Sequence, residues 1–481
     1  MFVFDILRIV SVLLAIVGTT FLIPVFVAVS YGETSVIPSF IIPMAASWVF
    51  CALMILIFRK RKINLSVRTT YVVVACSWIF TSLFGMLPLY TSGAIPAFID
   101  AFFESVSGFS TTGSTILSDI ESLPKSMNMW RCLTHWLGGM GIVALTVALL
   151  PLLGVGGFQL IKAETTGPEK GKVTAKITTT AKILWVTYMV LTVLQAVLLK
   201  VCGMSVFDAW AHAFATLGTG GFSTMNSSIG SYNSASIDFI CTLFMFLAGI
   251  NFSLYFYGIT GKWHDIRANS ELKAYIFIFA VSSLAIALCL INNYGSFWHA
   301  LRYSSFQSIA IMSSTGFATA DFTLWPSTAQ FFIFLLFFTG GCSGSTGGGF
   351  KVIRWVILFK QFNNEVRKLV HPHGVFSLRL NSNPAREELV YSVASFAVLY
   401  LLLVLVTMFV GCIGGLDLFT SFTGALSMVG NIGPGFGSLG PSCNYGFLPF
   451  FVKLWYCFAM LAGRLELYTM MIFFLPAYWK K

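Results

Sequence analysis

The feature that most constrains this chain is a series of apolar segments, each long enough to cross a lipid bilayer. A helix that crosses the hydrocarbon core needs about 20 predominantly apolar residues. Segments of this kind occupy residues 3–30, 37–58, 70–90, 128–158, 183–202, 237–260, 273–291, 328–360, 388–411 and 447–476. Only 10% of the residues are charged, whereas soluble domains carry about 25%. The sequence therefore predicts an all-α polytopic membrane protein with about ten spans.

The connections between these segments alternate in charge. Lys and Arg are concentrated in every second connection, and the remaining connections carry mostly Asp and Glu; the basic ones are residues 59–69, 162–182, 262–273 and 351–386. Basic loops are typical of the cytoplasmic side of membrane proteins, so both termini are predicted to be cytoplasmic. We interpret the net charge of +11 as topological anchoring and predict no nucleic-acid partner.

Four of the external connections contain an ungapped block that ends in glycine. Each block is a short apolar stretch followed by small residues: FESVSGFSTTG (103–113), AHAFATLGTGG (211–221), FQSIAIMSSTG (306–316) and TGALSMVGNIG (423–433). The blocks recur about every 100 residues, which indicates an internal repeat. Because every copy starts and ends on the cytoplasmic side, the repeats are predicted to be parallel and to enclose a central pore.

This repeat defines the predicted organisation of the chain. A pair of N-terminal helices is followed by four units, each made of a span, a re-entrant hairpin and a second span. The predicted boundaries are residues 1–60 for the helix pair, then 70–158, 180–260, 271–360 and 388–477 for repeats 1 to 4. The second span of repeat 3 is predicted to be broken at residues 340–349.

The residues at the end of each block are predicted to form a cation filter. Non-helical backbone is tolerated at membrane depth where it lines a watery cavity, and glycine allows a positive φ and a close approach of four chains. The residues before each glycine would then direct carbonyl oxygens at the axis, as in selectivity filters. These pairs are Thr111 and Thr112, Thr219 and Gly220, Ser314 and Thr315, and Asn431 and Ile432. The alternative is ordinary polar loops with turn glycines.

A glycine-rich stretch, GGCSGSTGGG at residues 340–349, interrupts the apolar segment of repeat 3. Glycine costs about 1 kcal/mol relative to alanine inside a helix, so the helix should break at Gly340, Gly341, Gly344, Gly347, Gly348 and Gly349. A phosphate-binding loop would need Ser or Thr after Lys351, where Val352 stands, and small-residue helix packing needs fewer glycines. We interpret the stretch as an irregular loop at the pore axis, below the filter.

Arg464 lies near the middle of the last apolar segment. An arginine at the centre of a membrane span costs roughly 2.5–3.5 kcal/mol on insertion scales and usually marks a functional site. A pair with Glu466 is the alternative, but residues two positions apart point to different faces of a helix. We expect Arg464 to face the axis, within reach of carbonyls of the glycine-rich loop, where its charge would repel a cation.

Several motifs occur in an order typical of one family. Besides the four blocks, they are WLGGMGIVAL (136–145), GGCSGSTGGGFK (340–351), GNIGPGFG (430–437) and AGRLELYT (462–469). Over its whole length the chain resembles the Trk/Ktr/HKT superfamily of potassium transporters, and within it the membrane subunit of bacterial Trk systems. The resemblance implies that Gly113, Gly221, Gly316 and Gly433 are filter glycines and that potassium contacts carbonyls of the preceding pairs. It also implies that residues 340–349 are an intramembrane gating loop.

The same resemblance implies a location and partners. Members of the family lie in the bacterial inner membrane, form homodimers and pair with a cytosolic regulatory subunit that binds nucleotides. Plant relatives that prefer sodium carry serine at the first filter glycine, so Gly113 implies a preference for potassium. The transported ion is the expected ligand, and no cofactor bound by this chain is expected.

Potassium uptake through a gated filter is therefore the predicted function. A sodium-permeable transporter, or a symporter coupled to H⁺ or Na⁺ with the same fold, is the alternative. An enzyme is not expected, because the histidines are dispersed and no His-Glu-x-x-His motif occurs. A secondary transporter of a larger solute is disfavoured, because the repeats are parallel rather than inverted.

Overall fold

Helices dominate the structure, a computed structural model that describes residues 2–59, 67–139, 177–374, 376–381, 383–384, 387–471, 473 and 476. Within these ranges the regular strands are two short ones, Arg379–Leu380 and Asn383–Pro384, which pair antiparallel. The predicted all-α class is therefore confirmed. Six described helices are long and apolar enough to cross a membrane: Phe4–Tyr31, Thr34–Ile57, Thr70–Thr91, Ala181–Val201, Ser270–Tyr294 and Glu388–Ile413.

The N-terminal pair packs against the first repeat through aromatic side chains. Its helices are Phe2–Thr20, Leu22–Tyr31 and Ile37–Ile57, with a 3₁₀ turn at Thr34–Val36. Phe21, at the break between the first two helices, is fully buried. Its ring stacks on Phe84 at 5.2 Å and meets the edge of Trp130 at 4.6 Å. Offset and edge contacts of this kind add to the burial of the rings, and they fix the pair to repeat 1.

Each repeat begins with a span and continues with a short helix that enters from the opposite side. The first spans are Val67–Gly85 with Leu87–Thr91, Ile177–Val201, Ser270–Tyr294 and Glu387–Ile413. The short helices, called pore helices below, are Phe98–Phe109, Val206–Leu217, Phe297–Met312 and Leu418–Gly430. At 12 to 16 residues and 1.5 Å per residue, they are too short to cross the bilayer.

The second spans differ from the sequence prediction. Residues 237–260, predicted as one span, form the helices Ala235–Ala248 and Phe252–Ile259, which meet at an angle of 91°. The last span runs as a helix over Phe450–Arg464 and restarts at Tyr468–Met471, because Glu466 and Leu467 have positive φ. A helix cannot continue through left-handed residues.

The other two second spans also depart from a continuous helix. In repeat 3 the helices Ser327–Leu336 and Val352–Val370 flank the glycine-rich loop. In repeat 1 the helix Lys125–Gly139 is described, and the rest of the predicted span, residues 140–158, lies outside the described residues. The ten predicted spans are thus not all observed as continuous helices in the described part of the chain. Six helices are long enough to span a membrane, and the bent helix pair of repeat 2, counted as one span, would be a seventh.

Short elements complete the described chain. A helix at Trp263–Ala268 precedes the first span of repeat 3. The predicted filter glycines and the residues just before and after them are called filter segments 1 to 4 below, and 3₁₀ turns follow segments 2, 3 and 4 at Ser228–Tyr232, Phe322–Leu324 and Gly437–Leu439. Asn226 joins the loops that follow the first two of the four repeated blocks: its amide oxygen accepts from the Ile120 N–H at 2.7 Å and its amide nitrogen donates to Asp119 at 3.1 Å. That donated hydrogen bond lowers the pKa of the exposed Asp119 carboxyl. All ten cysteines are free thiols.

Candidate functional site

The four pore helices converge with their C-terminal ends toward one another. Two of the pore helices are capped at their N-termini by side chains. The Ser205 hydroxyl accepts from the Asp208 N–H, and the Asp417 carboxylate accepts from the amides of Phe419 and Thr420. Both side chains are good N-caps. Hydrogen bonds from the Thr420 side chain and amide lower the pKa of Asp417. The helix C-termini carry partial negative charge, so their convergence favours a cation.

Each pore helix ends in the same turn. In every repeat the residue two positions before the filter glycine has a left-handed backbone: φ is 58° at Thr111, 54° at Thr219, 58° at Ser314 and 53° at Asn431. The next amide donates to the carbonyl five residues earlier at 2.9 Å, namely Thr112 to Ser107, Gly220 to Ala215, Thr315 to Ala310 and Ile432 to Ser427. This pattern is a Schellman-type helix end, and it occurs in all four repeats.

The four predicted filter glycines form a closed ring in which each one packs against a carbonyl oxygen of a neighbouring repeat. A Cβ atom added to Gly113 would overlap the carbonyl oxygen of Gly220, one on Gly221 that of Thr315, and one on Gly316 that of Ile432. Gly433 closes the ring, because its added Cβ would lie 2.7 Å from the carbonyl oxygen of Thr112. All four glycines have positive φ, between 77° and 105°. The space and the conformation both require glycine at these positions.

The two members of each predicted filter pair occupy different positions in this ring. The second member of each pair (Thr112, Gly220, Thr315 and Ile432) places its carbonyl oxygen against the glycine of the preceding repeat. The first member (Thr111, Thr219, Ser314 and Asn431) occupies the left-handed turn beneath it. All twelve predicted residues are thus brought together, and the side chains can differ because the backbone makes the ring.

The chain segments that leave the ring are braced by buried side chains of the pore helices. These side chains all come from the start of the eleven-residue blocks. The Glu104 carboxylate accepts from the Ile116 N–H at 3.0 Å, His212 Nε2 lies 2.9 Å from Ser223 Oγ, and Gln307 Nε2 donates to the Ala320 carbonyl at 2.9 Å; in repeat 4, Thr423 accepts from the Phe436 N–H at 3.1 Å. Sequence reasoning missed this set, although Glu104 inside an apolar block was a usable signal.

The glycine-rich loop lies directly beneath the ring. Gly340 and Gly349 pair antiparallel across its base. The Gly348 N–H donates to Ser314 Oγ at 2.6 Å. Cβ atoms added to Gly347 and Gly348 would lie 2.7 Å from the carbonyl oxygens of Ser313 and Gly430. The loop therefore contacts the turns of repeats 3 and 4, and side chains at Gly347 and Gly348 would prevent this approach.

The glycine-rich loop is hydrogen-bonded to the bend between the helices Ala235–Ala248 and Phe252–Ile259 of repeat 2. Gly249 accepts from the Cys342 N–H at 2.8 Å, and the Phe252 N–H donates to the Gly344 carbonyl at 3.1 Å. Gly344 has a φ of 75° and leaves no room for a side chain beside Asn251. The 91° bend that the sequence did not predict is thus the surface on which the loop rests.

Two buried charged residues hold the ends of the loop. Glu271 accepts from the amides of Ser343 and Ile353, at 2.7 and 3.1 Å. Lys351, fully buried, donates from Nζ to the carbonyls of Gly347 at 2.5 Å and Cys342 at 3.4 Å. The sequence drew attention to Lys351 only as a phosphate-loop candidate. Bonds from a charged group to backbone are about twice as strong as neutral ones, so the irregular loop is held firmly.

Arg464 joins the loop to repeat 1. Its guanidinium donates to the Thr346 carbonyl at 2.7 Å, to Thr111 Oγ1 at 3.2 Å, and to the carbonyls of Gly138 and Gly139 at 2.6 and 2.8 Å. The alternative pairing with Glu466 does not occur, because Glu466 pairs with Arg354 instead. The positive charge thus lies one hydrogen bond below the turn of the first filter segment.

The carbonyl oxygens of the ring are candidate cation ligands. Among the described residues, no group of three or more His, Cys, Asp or Glu side chains could hold a metal ion. A ring of carbonyls suits a weakly hydrated monovalent ion that must enter and leave quickly.

Comparisons with known proteins agree with this architecture. A family model described as "TrkH: Cation transport protein" matches residues 36–291 and 295–481. The chain is 37% identical over 484 residues to the Trk system potassium uptake protein TrkH of Halomonas elongata, with 99% of each chain covered. It is 36% identical over 490 residues to that of Escherichia coli, covering 98% of this chain and 99% of the relative. The crystal structure of the potassium transporter TrkH from Vibrio parahaemolyticus superposes with a TM-score of 0.87 at 33% identity, over 100% of both chains.

Proposed function

Because the chain belongs to the TrkH family of cation transport proteins, we propose that it carries potassium into the cell through the ring of filter carbonyls. The observation that carries this proposal is the closed ring in which each filter glycine contacts a carbonyl of the next repeat. The relatives in Halomonas elongata and Escherichia coli, which are named potassium uptake proteins, support the choice of ion.

Selection follows from the backbone in this proposal. A potassium ion entering from outside exchanges water for the carbonyls of Thr112, Gly220, Thr315 and Ile432. The braced segments above and the helix turns below hold these carbonyls apart, so that they replace the hydration shell of potassium better than that of sodium. The C-terminal dipoles of the pore helices stabilise the dehydrated ion.

Passage is controlled below the filter. The glycine-rich loop fills the path beneath the ring, and the Arg464 charge repels a cation that has left the filter. Opening requires the loop to leave the turns of repeats 3 and 4, which means breaking the hydrogen bonds of Gly348 and of Arg464 to Thr346. The membrane potential drives the ion inward, at about 2.3 kcal/mol per charge per 100 mV.

We also propose the wider arrangement of the molecule. The four repeats act as one pore with the helix pair as a flank, both termini face the cytoplasm, and the protein lies in the inner membrane as a homodimer. A cytosolic subunit that binds nucleotides would contact the cytoplasmic side and move the gate. The family role is transport of cations, so no reaction is assigned to this chain.

Flux into proteoliposomes tests the proposal. Purified protein is reconstituted, and uptake of potassium and of sodium is measured under an applied potential, with ion and proton gradients imposed separately. A selective pore predicts potassium uptake that follows its electrochemical gradient alone. Uptake that requires an opposing or parallel H⁺ or Na⁺ gradient would replace the channel mechanism with coupled transport. Equal uptake of the two ions would overturn the proposed filter.

A further inference from the structure

Glu104 and Arg131 form a buried ion pair near the filter, and the transport mechanism described above gives this pair no role. Their side chains are 0% and 1% exposed, and they approach to 2.7 Å. Glu104 belongs to the first pore helix and Arg131 to the second span of the same repeat. Neither residue contributes to the carbonyl ring or touches the glycine-rich loop in the described contacts.

The Glu104 carboxylate is fully occupied by partners above the filter. It accepts from Arg131 Nε at 2.8 Å, from Thr115 Oγ1 at 2.9 Å and from the Ile116 N–H at 3.0 Å. Thr115 and Ile116 come two and three residues after Gly113. One carboxylate therefore ties the segment leaving the first filter glycine back to its own pore helix.

Arg131 extends this tie to the second repeat. Its Nη2 donates to Thr115 Oγ1 at 3.2 Å, and its Nη1 reaches the Ser223 carbonyl at 3.5 Å. The guanidinium also lies 4.3 Å from the centre of the Phe222 ring. Phe222 and Ser223 directly follow the filter glycine Gly221. Arg131 thus contacts the segments leaving two neighbouring filter glycines.

Stability alone does not account for such a pair. Removing two charges from water is costly, and a buried ion pair often stabilises a protein no more than well-packed apolar residues do. What a fully hydrogen-bonded pair does provide is a fixed geometry, because a planar guanidinium and a carboxylate meet in few orientations. The fixed distance here is the one between the outer ends of filter segments 1 and 2.

We propose that Glu104 and Arg131 are positioning residues that set ion selectivity by fixing the spacing of the filter carbonyls of repeats 1 and 2. The inference rests on the proposed function. At the equivalent place the other repeats have His212, Gln307 and Thr423, each hydrogen-bonded to its own segment. The His212 ring also lies 5.9 Å from the ring of Phe317, which follows the filter glycine of repeat 3, but it makes no ion pair there in the described contacts. The charged, cross-repeat brace makes the Thr112 and Gly220 carbonyls the least free to contract around a smaller ion.

A direct electrostatic effect of Glu104 on the ion is a different explanation, and variants separate the two. Glu104→Gln keeps the shape and one acceptor but removes the charge. The double variant Glu104→Gln with Arg131→Gln has the same net charge as the parent protein but lacks the charged brace. Thr115→Val removes only the hydroxyl that both side chains share. Positioning predicts a loss of selectivity in all three variants, whereas attraction of the ion predicts normal selectivity in Thr115→Val, which retains both charges.

The measurement is the ratio of potassium to sodium uptake in proteoliposomes, per folded molecule. We expect the ratio to fall roughly tenfold in Glu104→Gln and in the double variant, which corresponds to about 1.4 kcal/mol, and about threefold in Thr115→Val. Thr115→Val changes only a small, half-buried side chain, so it tests the proposal even if the charge variants do not fold.

Asp238 and Arg302 provide the matched control. They form an ion pair at 2.8 Å that joins repeats 2 and 3, with Asp238 also buried and no contact to a filter segment among the described contacts. Asp238→Asn should lower the melting temperature without changing the ratio. An unchanged ratio in folded Thr115→Val and Glu104→Gln would overturn the brace. A parent protein without potassium selectivity would instead overturn the proposed function.

Discussion

Two layers of this molecule, one directly above the other, differ in how they are built from the four repeats. The layer of predicted filter residues is made four times by the same turn, with a left-handed residue at the same position and the same glycine contact. The layer beneath it is made once, from one glycine-rich loop, Lys351 and Arg464. Among the second spans as far as the structure describes them, those of repeats 2 and 4 bend or end at this level, and that of repeat 3 inserts a loop.

The difference teaches what each task requires. An ion that exchanges its hydration shell for protein oxygens needs ligands on all sides, so four similar copies are useful. An obstruction needs to come from one side only, so a single repeat can supply it while the others form its seat. The following predictions test whether selection belongs to the fourfold layer and gating to the unique one.

The largest effect is expected from Gly113→Ser. A side chain there would overlap the Gly220 carbonyl and must adopt a φ of 80°, which is costly for any residue but glycine. We expect the potassium-to-sodium uptake ratio to fall roughly a hundredfold, equivalent to about 2.7 kcal/mol of discrimination.

Gly93→Ser is the control for this substitution, because Gly93 has a φ of 75° but nothing within 4 Å of an added Cβ. It should leave the ratio unchanged. If the ratio also survives serine at Gly113, Gly221, Gly316 and Gly433, selection does not belong to the fourfold layer.

The next largest effect is expected from shortening the glycine-rich loop. Replacing residues 342–347 by two glycines keeps the paired base at Gly340 and Gly349 but removes the obstruction. We expect potassium flux per folded molecule to rise roughly tenfold, as for a barrier lowered by about 1.4 kcal/mol, while the uptake ratio stays the same. A lower flux in a well-folded protein would mean that the loop supports conduction and does not block it.

Arg464→Ala should raise flux by a smaller factor, roughly fivefold or about 1 kcal/mol. The change removes a positive barrier and the anchor of the Thr346 carbonyl, but other contacts of the loop remain. Arg464→Lys, which retains the charge, should give a flux between that of the parent protein and that of Arg464→Ala. A purely structural arginine predicts an unfolded or inactive alanine variant, because buried carbonyls lose their donors; size-exclusion profiles and melting temperatures distinguish these outcomes.

The smallest effect is expected from Ser314→Ala, which removes one hydrogen bond between the layers, the one from the Gly348 N–H. Flux should rise roughly twofold, because a single neutral bond contributes about 1 kcal/mol or less. Ser345→Ala, which removes a bond within the loop, serves as the control. If Ser314→Ala changes the potassium-to-sodium uptake ratio and Ser345→Ala does not, the gate and the filter are coupled. The two layers would then not act independently.

Several parts of this arrangement were accessible from the sequence because they depend on local chemistry. The blocks are short and end in glycine, so a turn at membrane depth followed from the cost of unsatisfied backbone. Six glycines in ten residues predicted the break in repeat 3, and the cost of an intramembrane charge drew attention to Arg464. The reach of Arg464 to a loop carbonyl was an expectation of the same kind.

Other parts were not accessible, because apolar composition indicates the length of a segment but not its continuity. Residues 237–260 and 447–476 are each apolar enough to be predicted as one span, yet one bends at residues 249–251 and the helix of the other ends at Arg464. Asn251 is a visible N-cap, since its side chain accepts from the Ser253 N–H at 2.9 Å, but an isolated Gly and Asn are weak signals inside a long apolar run.

By itself the sequence determined the membrane class, the fourfold repeat and the positions that need glycine. These follow from hydropathy, spacing and steric limits that act within a few residues of each other. Only the tertiary structure decided which repeat neighbours which filter glycine, that Glu104 and Arg131 join two filter segments, and that the bend of repeat 2 seats the loop of repeat 3. Such contacts join residues distant in the chain, and they depend on how whole helices pack, which no local pattern specifies.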